Sequence, residues 1–192
     1  MKERISQAVN DGVAAIEQLK SSGSIRFIDE VSHAITKGFD GGKKILVAGN
    51  GGSLCDAMHF AEEFTGQFRG YRKALPAIAL TDPGHLTCTA NDHGFDSVFS
   101  RGIEAFGHKG DLFVGLTTSG NSPNIVRAFE RAKELGLVTI AFLGKGGGKL
   151  KGVADYELIV NHFETSDRIQ EAHMTAMHII IEMVEHRLGL CA

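Results

Sequence analysis

Asp56, His59 and Glu63 stand at i, i+3 and i+7 in the stretch GNGGSLCDAMHFAEEFTG, residues 49–66. On an α-helix that spacing puts two carboxylates and an imidazole on one face. Such a set can take and return a proton near neutral pH. Directly ahead of it, GNGGS (49–53) is a glycine turn whose backbone N–H groups can approach an anion, with Ser53 placed to cap the helix that follows. It is not a dinucleotide fingerprint, because GxGxxG would need glycine where Leu54 stands.

A second loop of the same kind is TTSGNSPN (117–124), which gathers the hydroxyls of Thr117, Thr118, Ser119 and Ser122 around Gly120 at another helix start. Hydroxyls and free N–H groups at a helix N-terminus suit a phosphate monoester, helped by a dipole contribution of roughly 0.3–1 kcal/mol. The third glycine-rich piece, LGKGGGKLKG (143–152), fails as a nucleotide P-loop because Leu143 and Leu150 occupy its glycine and hydroxyl positions. It reads as a mobile surface loop, with Lys145 or Lys149 near a ligand.

Near the carboxy terminus, Asp167, Gln170 and His178 fall in one helical stripe, since eleven residues make close to three turns. Each set has a plain alternative. A lone helix histidine is more often a surface or satisfied group, Glu62-Glu63 can be a solvated edge, and both loops can be ordinary strand-to-helix turns. Polar groups on the inner face of a helix rich in Met and Ile nonetheless require partners. His33, His85, His93, His108, His162, His173 and His186 have no comparable context.

The elements that must position these groups follow from periodicity. Ile5, Val9, Ile16 and Leu19, then Ile28, Val31, Ile35 and Phe39, recur at helical intervals and predict two opening helices. The apolar runs 45–49, 77–80, 112–118, 138–144 and 156–160 read as buried parallel strands. SPNIVRAFERAKELG predicts a helix with Ser122 as N-cap, Pro123 at its first position and Gly136 as its stop. A long final helix is expected over roughly 165–188. The alternation argues for an α/β fold, a doubly wound five-stranded parallel sheet flanked by helices, as a single domain over 1–192. Residues 1–42 form its amino-terminal helical segment, and 43–192 its core.

At 192 residues the chain can bury about 70% of its unfolded surface without staples. A net charge of −3 without a basic stripe argues against nucleic acid as partner. No apolar run approaches a bilayer span, and the amphipathic amino terminus does not read as a secretory signal. Cys55, Cys88 and Cys191 form no CxxC pair, which fits a reducing cytoplasm. Two amphipathic helices and a long final helix exceed what one small sheet can cover, so a homo-oligomer is expected.

GNGGSLCDAMHFAEEFTG, the AND of 90–92, TTSGNS (117–122) and DRIQEAHMTAMH (167–178) resemble, in order and spacing, the blocks of the phosphoheptose isomerase family of the sugar isomerase (SIS) fold. The resemblance spans essentially the whole chain. It implies an aldose–ketose isomerase that converts sedoheptulose 7-phosphate to D-glycero-D-manno-heptose 7-phosphate through an enediol, the first step toward the activated heptose of the lipopolysaccharide core. By position it implies that Asn50, Gly51, Gly52, Ser53, Asn91 and Asp92 surround the substrate. With them come Thr117, Thr118, Ser119, Ser122, Asp167 and Gln170. Glu63 and His178 match the acid/base pair, and His59, Glu63, Gln170 and His178 the positions that hold one zinc per subunit in some members. A homotetramer with active sites near subunit interfaces is implied as well. Gln67 departs from the pattern, which has Arg there, and so removes a charge contact to the sugar phosphate. Two other classes share the fold: non-catalytic SIS proteins that act by protein contacts, and SIS isomerases or sensors for other sugar phosphates.

Overall fold

The five apolar runs form five parallel strands: β1 (Ile45–Ala48), β2 (Ala77–Ala79), β3 (Leu112–Thr117), β4 (Val138–Gly144) and β5 (Tyr156–Val160). The computed structural model describes residues 1–190; Cys191 lies outside the described residues. Around the sheet run α1 (Lys2–Glu17), α2 (Ser22–Asp40), α3 (Gly52–Thr65), α4 (Pro83–His93), α5 (Val98–Phe106), α6 (Pro123–Glu134) and α7 (Ser166–Arg187). Among the described residues no helix is long and apolar enough to cross a membrane.

The strand order is β2-β1-β3-β4-β5, with Val47 opposite Ala79 on one side and Val114 on the other. The chain steps outward one way from β1 and the other way from β3. The crevice between their carboxyl ends is therefore a topological switch point, where ligands of such sheets bind. GNGGS follows β1 and TTSGNS follows β3, so the sheet brings the two candidate anion loops together.

Strand side chains alternate between two apolar layers, as a period of two requires. Ile45, Val47, Val114, Ile140 and Phe142 pack with Phe27 and Ile35 of α2, Phe60 and Phe64 of α3, and Met177 and Ile180 of α7. Leu46, Ala48, Phe113, Ala141 and Leu143 pack on the opposite face with Phe99 of α5 and Ile125 and Phe129 of α6. Helices α3 and α7 thus share one face, which puts the two polar stripes side by side. At about 25 cal/mol per Å² of apolar area removed from water, this burial dominates the stability of both helices.

Helix α1 differs from what its apolar spacing suggests. Ile5, Val9, Val13 and Ile16 are 62, 60, 51 and 40% exposed, and the helix is held instead through the small residues Gly12 and Ala15.

The LGKGGGKLKG piece is also a correction. It forms tight turns in which Gly146, Gly147 and Gly148 take positive φ, and Gly147 and Leu150 are buried. It packs on the loop after β3 so closely that a Cβ at Gly120 (φ +65°) would lie 1.8 Å from the Gly147 carbonyl oxygen. The Leu150 amide donates to the Gly120 carbonyl at 3.2 Å. The segment is the floor of the second anion loop.

Candidate active site

The chain turns out of β1 through Gly51 (φ 55°) into α3, whose first turn points into the crevice. Asn50, Gly52 and Ser53 there meet Thr117, Thr118, Ser119 and Ser122 from the loop after β3, enclosing a cavity of about 340 Å³. The final helix closes one side with Gln170 and Ser166. Hydroxyls face one another across this space: Thr117 Oγ1 lies 3.0 Å from Ser122 Oγ and 3.4 Å from Ser119 Oγ, and Thr118 Oγ1 lies 2.9 Å from Ser166 Oγ. Two helix N-termini, of α3 and α6, converge on the same cavity, and both favour negative charge.

One capping expectation is corrected, and the other holds in position without the side-chain bond. Ser53 does not cap α3, which begins at Gly52 after an N-cap Gly51. Its hydroxyl accepts a hydrogen bond from the Gln170 amide at 3.2 Å. Ser122 is the N-cap residue of α6 but makes no side-chain cap, because its hydroxyl turns to Thr117. In both cases a hydroxyl expected to serve the helix faces the cavity instead. A Cβ at Gly52 would meet the Gln170 amide nitrogen at 2.6 Å, so glycine lets α7 approach this closely.

Further along α3, Glu63 sits between two imidazoles. Its Oε1 is 3.2 Å from His59 Nε2, one helical turn away, and its Oε2 is 3.5 Å from His178 Nε2 on α7. The ligand atoms of the three residues all lie within 4.8 Å of one another. Glu63 is 9% exposed, and its Oε2 is buried without a hydrogen-bond partner. The rings of His59 and His178 stand edge to face with centroids 5.1 Å apart, and Phe68 stacks on His178 at 5.9 Å. One turn before His59, burial pushes the Asp56 carboxyl up to about 6, with His59 pulling it part of the way back. Asp56 Oδ2 is also buried without a partner.

Other expected site residues stand apart within one chain. Asn91 and Asp92 are exposed on α4 and bond to each other at 2.7 Å, away from the cavity lining. Asp167 is exposed in the first turn of α7, 3.2 Å from Arg168. Gln67 is exposed after α3, and the nearby Arg69 pairs with Glu182 of α7 at 2.9 Å. Sequence reasoning missed Ser166, Asn124, Phe68 and Arg72. Asn124 carried a signal, since it lies within the quoted TTSGNSPN loop; the others are recruited by packing.

A buried carboxylate oxygen without a donor, flanked by two imidazole nitrogens, is a donor set that fits a zinc ion. Gln170 is held by Ser53 at the cavity side. Without a metal, the same three groups can move protons.

The comparisons with known proteins agree with this geometry. The SIS domain family model matches residues 9–144. The phosphoheptose isomerase of Fusobacterium nucleatum is 59% identical over 157 residues, 82% of this chain and 80% of that one. That of Vibrio cholerae is 52% identical over 171 residues, covering 89% and 90%. Among solved structures, phosphoheptose isomerase GmhA from Neisseria gonorrhoeae superposes with a TM-score of 0.89 at 35% identity, over 96% of this chain and 98% of that one. A phosphoheptose isomerase from Francisella tularensis gives 0.90 at 31% identity, over 96% and 97%. On sequence and fold together, the chain belongs to the phosphoheptose isomerase family of SIS-domain proteins.

Proposed function

We propose that this chain isomerises sedoheptulose 7-phosphate to D-glycero-D-manno-heptose 7-phosphate, with Glu63 as the base. The observation that carries the reading is the placement of the Glu63 carboxylate between His59 and His178, on the same helix whose first turn lines the hydroxyl-rich cavity. From Ser53 to Glu63 that helix rises about 15 Å. A substrate that reaches from one to the other must be long, with its phosphate at the far end from its carbonyl.

The phosphate sits against Ser119, Thr117, Thr118 and Ser122, where hydroxyl donors and two helix N-termini replace its water shell. Glu63 takes the proton from the carbon beside the carbonyl, giving an enediol, and returns it to the neighbouring carbon. His178 moves protons between the two oxygens. Holding phosphate and reacting carbons on one helix fixes their separation, so substrate binding itself orients the proton transfer.

Zinc is proposed at His59, Glu63 and His178, with Gln170 as the fourth position implied by the family resemblance. When bound, such an ion polarises a carbonyl or hydroxyl oxygen as a Lewis acid. Glu63 has two oxygens facing different imidazoles, so one can ligate while the other takes the proton.

Self-association is proposed on the exposed stripe Ile5, Val9, Val13 and Ile16, which a second copy would cover. A homotetramer in the cytoplasm, feeding heptose to lipopolysaccharide synthesis, is the assembly and setting the family resemblance implies. A monomer by light scattering at micromolar concentration would contradict the assembly. The activity is tested by offering sedoheptulose 7-phosphate beside fructose 6-phosphate in a coupled assay. Turnover of the heptose alone is expected; preference for the hexose would overturn the substrate.

A further inference from the structure

The carboxylate on which the proposed proton transfer depends lies in the last turn of α3, where helix carbonyls have no intrahelical donors. Arg72, from outside the helix, supplies two of them, while the Leu75 amide also donates to the Phe64 carbonyl at 2.9 Å and the Gly66 amide to that of Glu62. The Arg72 guanidinium donates through Nη1 to the Phe64 carbonyl at 2.7 Å and through Nη2 to the carbonyl of Glu63 itself at 2.5 Å. Its Nε donates to Glu185 Oε1 at 2.7 Å. Both side chains are buried, 2% and 5% exposed.

Glu185 is on α7, two turns beyond His178 and on the same side of the helix. One buried cation therefore ties the backbone of Glu63 to the helix that presents His178. The segment between α3 and Arg72 adds to the tie, since Phe68 stacks on His178 and Arg69 pairs with Glu182. A buried ion pair contributes little net stability compared with apolar side chains of the same volume. Its value here is directional: the guanidinium fixes where the last turn of α3 stands against α7.

We infer that Arg72 and Glu185 are positioning residues for the isomerisation, setting the approach of Glu63 to His178. The inference rests on the reading of Glu63 and His178 as the acid/base pair. Neither residue acts on substrate; both act through the backbone of α3.

The test is the double variant Arg72→Met/Glu185→Leu, which removes both charges and leaves neither buried alone. Its thermal midpoint should fall by only a few degrees, because the Glu63 carbonyl loses its donor while the Phe64 carbonyl keeps the Leu75 amide. KM and the affinity for inorganic phosphate should stay within about threefold, while kcat falls by roughly 10- to 100-fold, the cost of an ångström-scale misplacement. Glu185→Gln, which keeps shape and loses charge, should lower kcat in the same direction and stands in for the double variant if that does not fold. Glu63→Gln, measured alongside, separates the two claims. If it turns over at the parental rate, the acid/base reading fails and takes this inference with it. If Glu63→Gln is inactive while the folded double variant keeps parental kcat, the positioning role alone is overturned. An equal loss of phosphate affinity and kcat would also overturn it, since that reports general loosening.

Discussion

Asn50 and Asn124 exchange two hydrogen bonds, each carboxamide donating Nδ2 to the other's Oδ1 at 2.9 and 2.8 Å. The pair spans the switch point of the sheet, tying the turn after β1 to the first turn of α6, and Asn124 is 2% exposed. It holds the two anion loops at a fixed separation. Asn124→Ala removes both hydrogen bonds and frees the Asn50 side chain, which lines the cavity. The account predicts a KM for sugar phosphate raised by roughly tenfold, with kcat little changed. An unchanged KM in steady-state assays would remove the pair from the binding argument.

Ser119→Ala deletes one hydroxyl facing the cavity, and a hydrogen bond to a charged group is worth about 1.5–3 kcal/mol. Calorimetry should find weaker binding of inorganic phosphate and of phosphorylated sugars by similar factors, with the fold intact. Parental phosphate affinity would make TTSGNS a turn and nothing more.

Metal content tests the triad independently of turnover. Protein purified without chelator should carry about one zinc per chain, and His59→Ala, which removes one of the two imidazoles beside Glu63, should lose it. Metal-free protein with full activity would leave His59, Glu63 and His178 as proton-transfer groups alone.

His173 sets a pH dependence of stability. It is fully buried on α7, its Nε2 bonds the Leu143 carbonyl at 2.9 Å, and burial pushes its pKa from 6.5 down to about 4. The unfolded chain binds this proton more tightly, so stability present above pH 6.5 is lost as pH falls toward 4. For a fully buried group this amounts to about 3 kcal/mol. Urea midpoints at pH 7 and pH 4.5 should differ less in His173→Gln than in the parent. Equal pH dependence in both would assign the acid sensitivity elsewhere.

The sheet was legible because its signals are local. The run 138–144 is apolar but for Thr139, as suits a strand covered on both faces, and becomes β4 over Val138–Gly144. Pro123 and Gly136 mark the first helical position of α6 and the turn just past its end. The pairing of His59 with Glu63 follows from helical spacing alone, whereas that of Glu63 with His178 was implied only by the family resemblance; in the structure it comes from two helices sharing a sheet face. What stayed hidden depends on contacts distant in sequence. Arg72 finds Glu185 across 113 positions, Leu150 is buried by the loop after β3, and His173 lies beside apolar positions with nothing in the sequence to name Leu143 as its partner. The hydroxyls of Ser53 and Ser122 were read as caps because local rules reward caps; the cavity draws both away.

The central claim is that Glu63 removes the proton. Glu63→Gln keeps the shape of the side chain and takes away the base, so turnover should fall by roughly 10²–10⁴-fold with substrate still bound. His178→Gln should fall by a comparable factor, and the double variant by much less than the product. The most direct measurement is exchange of solvent deuterium into the carbon beside the carbonyl of the sugar phosphate, followed by NMR. In the parent the label should enter; in folded, substrate-binding Glu63→Gln it should not. Exchange at the parental rate in that variant would place the base elsewhere, with Asp56 or Asp167 the next candidate, and contradict the account.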